Sequence, residues 1–472
     1  MTSSCDNTRF SANKDLDRRH FIGICGAAVF APSFKPLLRR PPNDVPLGRV
    51  VMVRNPDATS YGFGEGESYG DAIDQTVVDR MADEGVMTLT GADSVKAAWR
   101  AVLPNFANGQ RVAIKVNFNN SEPYYNIWDE PPYLMNGLIQ TVNAIVRGLK
   151  LIGVREEDVW VYDSVRSLSR YFIENCLFPG VRFWDITGSH GKSRAHHGTN
   201  VRVAFSRSEV PTQSICNVVT ETDWLINVPL LKRHRNAGIT LSFKNHFGTI
   251  HDCSMLHNWV FPVAHGNTWT RDYNPLVDIA LNNHIRNKTV LVVGDCLFGN
   301  HQDLDQPPIP WQTFNGGSPN SLLFSRDMVA IDSVMHDILL MESEDPFNGA
   351  GAYLPLAEAE GLGVFEHGDP RSSDGYERID YTRFDQQGSG DAIWGVVRSK
   401  KQPIAGALVT AVHQGDGGKQ KTRTTSDGSY SFARMRPGSY KLTAKKKRFK
   451  SKSRGTSYTG KLLRRNFKLR PK

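Results

Sequence analysis

Apolar positions along this chain follow two alternating rhythms for most of its length and a single rhythm at its end. Residues 50–53, 112–116, 159–162, 224–228 and 290–294 are short apolar runs rich in β-branched side chains, the pattern of buried strands. Between them apolar residues recur at helical spacing: Val95, Trp99, Val102 and Leu103; then Leu134, Leu138, Ile139, Val142, Ile145, Val146 and Leu149; then Ile331, Val334, Met335, Ile338 and Leu339. Asn274-Pro275 and Asp327 stand where helices need caps, because a short side-chain oxygen there accepts an otherwise orphaned backbone N–H. Repeated strand-then-helix units predict an α/β domain over residues 46–370, with a mostly parallel sheet and flanking helices. Residues 371–391 are polar and read as a linker. Helical spacing then ceases. Residues 393–397, 408–412, 430–432 and 440–443 are short strands separated by Asp416-Gly417-Gly418, Asp427-Gly428 and Pro437-Gly438 turns. Residues 392–472 therefore predict a C-terminal all-β sandwich with its tail.

Charge divides along the same boundary. The net charge of +9 conceals an acidic middle and a basic end. Residues 46–391 carry 28 Lys+Arg against 42 Asp+Glu, and residues 392–472 carry 22 against 2. Such opposed parts imply separate jobs, or a tail that docks on its own body or on an acidic surface. At the other end, Arg18-Arg19 precedes an apolar run at 22–30, too short to span a bilayer as a stable helix. This resembles a twin-arginine export signal, so residues 1–45 read as leader and linker, and the protein is expected in the periplasm or cell envelope. Beyond the leader no segment has the length and apolarity of a membrane span. For an exported protein the basic run at 445–465 suits acidic envelope polymers or lipid headgroups better than nucleic acid.

The chemistry concentrates between residues 226 and 265. Lys232, Arg233, His234, Arg235, Lys244, Asn245 and His246 crowd a span that follows an apolar strand. A core strand has no physical need of so many cations beside it, and a small anionic ligand would supply one. Lys232, Lys244, Asn245 and Gly248, with Lys115 and Asn117 at an earlier strand end, are the expected ligand-binding set. In a parallel sheet, ligands sit outside the carboxyl ends of the strands. Asp163 and Asp295 also fall at predicted strand ends, and with His234 they are the candidate acid/base residues. Cations near His234 would keep its imidazole neutral. His246, His251, Cys253 and His257, with Asp252 and His265, offer ligands to a transition metal such as Zn, Fe or Ni, though their spacing matches no standard site. An aromatic-rich loop with hydrogen-bonded histidines is the competing reading. His196, His197 and His301 read as surface residues.

The six cysteines include no C-x-x-C pair, so neither a zinc-finger knuckle nor a ferredoxin-type iron–sulfur site is encoded. G-x-G-x-x-G and Walker spacings are also lacking.

The run Pro229, Leu230, Leu231, Lys232, Arg233, His234, then Thr240, Lys244, Asn245 and Gly248 resembles the signature of the DUF362 family, P-K-L-K-T-H, then T, then K-N-x-x-G. Leu230 and Arg233 depart from it. Ile114-Lys115-Val116-Asn117 is similar to the family's I-K-P-N, and the stretches 292–295 and 325–332 resemble its acidic strand end and S-x-D-x-V-A-x-D helix start. Pro403, Gly406-Ala407, Asp427-Gly428, Tyr430, Phe432, Pro437-Gly438 and Tyr440 resemble the carboxypeptidase regulatory-like sandwich, which implies an accessory domain. The first resemblance implies architecture and leaves the reaction open. Three readings follow. One is a metal- or cofactor-dependent oxidoreductase or acid/base enzyme. The others are a non-catalytic ligand-binding protein and an envelope adhesion or scaffold protein working through its basic end.

Overall fold

A computed structural model describes residues 47–64, 68–118, 128–129, 135–234, 237–260, 270–302, 307–342, 349–386, 391–400, 402–415, 417–425, 428–433, 435, 438–458 and 463–472. The leader, Leu134, Arg235, His265 and the turn residues Asp416, Asp427 and Pro437 lie outside them.

Eleven strands form one sheet: β1 (Arg49–Arg54), β2 (Val112–Lys115), β3 (Val159–Asp163), β4 (Arg182–Asp185), β5 (Ser193–Arg194), β6 (Trp224–Asn227), β7 (Leu230–His234), β8 (Gly238–Thr240), β9 (Thr289–Asn300), β10 (Ser321–Ser325) and β11 (Asp380–Asp385). The order across it is β11-β1-β10-β9-β6-β2-β3-β4-β5. From β9 to β5 every neighbouring pair is parallel. Only β10 interrupts this path, running antiparallel to both β1 and β9. β7 pairs in parallel with β9, beyond the end of β6, and turns back through β8. The predicted fold class holds.

Period-two alternation explains the two cores. Val51, Val53, Ile114 and Val161 face a layer with α1 (Gln75–Thr90), α2 (Val95–Val102) and α3 (Ile139–Leu151). Val50, Met52, Ala113 and Trp160 face the other way, against the helices Pro275–Leu281 and Met328–Leu340. The predicted caps form: Asn274 Oδ1 accepts from Leu276 N at 3.0 Å, and Asp327 Oδ1 from Ala330 N at 2.9 Å. Asp327 does more than cap, since its other oxygen accepts from Gly48 N and Val364 N and ties both segments to the helix start.

Two differences from the sequence reading matter. β9 does not end before Asp295 but continues to Asn300, because Cys296, Leu297 and Phe298 are apolar and buried. Part of the polar stretch 371–391 is structural: β11 pairs in parallel with β1 as the sheet's edge strand, with Tyr381 and Phe384 buried among polar neighbours.

Beyond it, β12 (Asp391–Ser399), β13 (Gln402–Pro403), β14 (Leu408–His413), β15 (Lys419–Arg423), β16 (Ser429–Ala433), β17 (Gly438–Lys445), β18 (Phe449–Lys450) and β19 (Lys452–Tyr458) build the all-β region. One antiparallel sheet has the order β15-β14-β17-β19, and another centres on β12 with β13 and β16. Ile393, Val397, Val409, Phe432 and Leu442 fill the space they enclose. No helix among the described residues is long and apolar enough to cross a membrane.

Candidate functional site

Parallel pairing brings strand ends to one edge. Lys115, the last residue of β2, is in register with Tyr162 of β3 and Asn227 of β6. Asp163 follows at the end of β3. The chain leaving β6 forms the β7/β8 hairpin, which sets Lys232 opposite Thr240. It then turns through the short helix Ser242–Asn245 and the 3₁₀ turn His246–Thr249. These elements enclose a cavity of about 250 Å³. Lys115, Asn117, Asp163, Lys232, His234, Lys244, Asn245, Gly248, Cys253 and His257, all singled out from the sequence as candidates, line it. Phe118, Val165, Arg166, Arg233, Thr240 and Phe247 complete the wall.

The inner end is a fixed hydrogen-bonded unit. Lys115, 0% exposed, donates from Nζ to Asp163 Oδ2 at 2.9 Å and to Asn245 Oδ1 at 3.1 Å. Asp163 Oδ1 accepts from Val165 N and Arg166 N, at 3.0 and 3.2 Å. Asn245 Nδ2 donates to Asn227 Oδ1 at 2.7 Å. Burial pushes the Lys115 ammonium below the ordinary lysine range, against the pull of Asp163. Both Asp163 oxygens are engaged, so this carboxylate acts first as the partner that lets Lys115 be buried.

Gly248 permits that contact. A Cβ at this position would lie 2.4 Å from Lys115 Nζ and 2.8 Å from Asp163 Oδ2. Gly248→Ala is expected to push the Lys115 and Asp163 side-chain ends aside and cost roughly 1–3 kcal/mol, the cost of overpacking a buried site. Urea unfolding of the two proteins side by side checks this.

The outer wall is cationic. Lys232, Lys244, Arg166 and Arg233 add their charges to that of Lys115, and Asp163 is the one carboxylate among the described lining residues. Lys244 lies in the short helix and its Nζ sits 4.1 Å from the Phe247 ring centroid. Among the described residues it has no hydrogen-bond or carboxylate partner. Burial, against the pull of Cys253 and with Arg166, Lys232 and Lys115 as like charges, pushes it down to about 7. Burial together with Lys244, Lys232 and His257 holds His234 far below the ordinary imidazole range, so it is neutral near pH 7. Its ring stacks on His257 with centroids 5.7 Å apart. Among the described residues Thr240 Oγ1 and Asn117 Oδ1, both buried, have no hydrogen-bond partner.

Three expected site residues lie elsewhere. Asp295 alternates with Val293 and Leu297 toward α3, where Thr141 Oγ1 donates to its Oδ2 at 3.0 Å. It does not line the cavity. Burial pushes its carboxyl up to about 7. Above that pH the folded state must hold a buried charge, while the unfolded state ionises from about 4 upward. The group thus lowers stability as pH rises from about 4 to 7. Asp295→Asn is expected to match the parent at pH 4 and to exceed it by about 1–3 kcal/mol at pH 8; thermal melts at both pH values test this.

His246 is buried behind the cavity. Asn227 Nδ2 donates to its Nε2 at 3.2 Å and its Nδ1 lies 3.3 Å from Thr249 Oγ1. Burial pushes it down to about 3. His251 is exposed and faces His197, ring centroids 5.5 Å apart. Cys253 and His257 alone of the four expected metal residues line the cavity, so the four do not form one ligand set. No group of three His, Cys, Asp or Glu among the described residues could hold a metal ion. The four described cysteines are unpaired. His197 and His301 are not surface groups either. His197 Nε2 lies 3.0 Å from Ser164 Oγ, and the His301 ring packs 4.9 Å from Trp311.

The fold and cavity define an α/β protein with a cation-lined pocket at the carboxyl edge of a parallel sheet. Residues 112–337 match the family model of DUF362, a domain of unknown function, and residues 392–470 match that of the carboxypeptidase regulatory-like domain. The matched segment of the first starts at β2 and ends in the helix Met328–Leu340, so it contains every residue lining the cavity. No curated protein matches the chain. Among solved structures, the Bacillus anthracis TIE protein aligns at 10% identity over 19% of this chain and 19% of its own, with a TM-score of 0.16. That likeness carries no argument.

Proposed function

We propose that this protein binds a small anionic ligand bearing a phosphate or carboxylate group in the cavity at the strand edge. One observation carries the reading: among the described residues five lysine and arginine side chains line the cavity, while the single lining carboxylate is already taken by Lys115. An anion entering there would supply Lys244 with a counter-charge that no described carboxylate gives it. Lys232 and Lys244 are its point-charge partners, and Arg166 and Arg233 supply planar donors. Asn117 and Thr240 add polar groups that orient it.

The ligand stabilises the folded state by mass action, about 2.7 kcal/mol at a concentration one hundred times Kd. The test is a series of thermal melts at constant ionic strength with phosphate, pyruvate and a neutral sugar. A rise in Tm with the anions alone supports the reading. Equal melts in all three overturn it.

A second observation favours a role for the C-terminal region. Arg423, Lys445, Lys446, Lys447 and Lys472 gather around one surface depression. In a protein exported by the twin-arginine route, this patch would attach the molecule to an acidic envelope polymer or to lipid headgroups. Fractionation of cells producing the chain with and without residues 392–472 tests this. Attachment that persists without them overturns it.

A further inference from the structure

We infer that Lys244 is a carbonyl-reactive amine, and that the ligand is a small 2-oxo acid which condenses with it to an imine. This rests on the anion-binding reading and adds a covalent step to it. A lysine used only to hold an anion needs its charge. Lys244 is placed where a charge is hardest to keep: 6% exposed, against the Phe247 ring, beside Arg166, Lys232 and Lys115, and with no carboxylate partner among the described residues. An amine desolvated among other cations spends a large part of its time as the free base near neutral pH, and this one lines the cavity. Burial and those cations push it down to about 7, in keeping with that environment. The cavity of about 250 Å³ admits a compact ligand of a few carbons.

The two ends of a 2-oxo acid meet two kinds of group. Its carboxylate takes the charges of Lys232 and Arg166, which leaves the adjacent carbonyl carbon for Lys244. The Lys244 nitrogen forms a bond to that carbon while the carbonyl π electrons move to oxygen. The nitrogen loses a proton to the neutral imidazole of His234, which lines the same cavity and has Lys244 as its foremost charged neighbour. The alkoxide oxygen takes that proton to become the carbinolamine hydroxyl, then takes the second amine proton by the same route and departs as water, leaving a carbon–nitrogen double bond. One ketone and one amine give one imine and one water, and no oxidant or reductant is consumed.

The full chain incubated with pyruvate and then reduced with cyanoborohydride tests the step by intact-mass and peptide mass spectrometry. The inference predicts one reduced pyruvyl adduct per chain, on Lys244, absent from Lys244→Met. In Lys232→Met it should require at least tenfold more pyruvate. Labelling confined to exposed lysines such as Lys445–Lys447, or unchanged in Lys244→Met, overturns it. Absence of an adduct while phosphate still raises Tm overturns the covalent step and leaves anion binding standing. Absence of both overturns both. A Lys244→Arg variant, which keeps the charge but cannot form the imine, should still show the phosphate-induced shift, so that a folding defect is not mistaken for lost chemistry.

Discussion

Replacing Asp163 by Ala is expected to destabilise the protein by about 3–5 kcal/mol, the cost of leaving a buried charge uncompensated. Lys115 is 0% exposed and loses its 2.9 Å partner. Val165 N and Arg166 N lose the oxygen they donate to, and the turn after β3 loses its anchor. Asp163→Asn keeps one acceptor oxygen and should cost less than Asp163→Ala. Denaturant midpoints for the three proteins measure this order. An Ala variant within about 1 kcal/mol of the parent would mean that the Lys115–Asp163 pair does not hold the strand edge together.

Replacing Lys244 by Met should act in the opposite direction on stability and strongly on binding. The side chain keeps most of its apolar volume against Phe247 and loses a charge that no described carboxylate balances. The ligand-free variant is expected to be more stable by about 1–4 kcal/mol, as when buried charges are replaced by apolar groups of similar size. Its affinity for the anion should fall by roughly 30-fold or more, from the ~2–5 kcal/mol that truncating a buried charge partner costs. The sign with pH follows from the folded value of about 7, below the ordinary lysine value near 10.4. Between those limits the unfolded chain binds more protons, so parent stability rises with pH across that window. The variant lacks that slope. The parent's affinity for phosphate should fall as pH climbs through 7, because the ammonium that the anion needs is lost. Melts from pH 6 to 9.5 and calorimetric titrations at pH 6 and 8 measure both.

Much of this site could be read from the chain because parallel strands impose a direction. Lys115, Asp163 and Lys232 are spread over more than a hundred residues, yet strand ends in such a sheet must share an edge. Asp295 shows where that logic stops. It depends on where a strand ends, and the apolar Cys296, Leu297 and Phe298 carry β9 onward, so alternation turns Asp295 toward α3. The β11 strand gives a weak signal for a related reason: as an edge strand it lends each core a single residue, Tyr381 to one and Phe384 to the other, and both stand among charges. His246 was misread because density of histidines says nothing about which ring nitrogens are taken, and here Asn227 and Thr249 lie against both. Arg166 carried only a faint signal, its place three residues after the end of β3. Thr240 stood in the family-like motif, but a role for its hydroxyl requires knowing the β7/β8 register.

The most direct measurement is a crystal structure of the protein soaked in selenate, whose anomalous scattering locates a tetrahedral oxyanion without ambiguity. The account predicts a peak inside the cavity, within hydrogen-bond reach of Lys244 Nζ and Lys232 Nζ. Selenate found at saturating concentration only on the exposed lysines of the C-terminal region, with the cavity holding water alone, would contradict it.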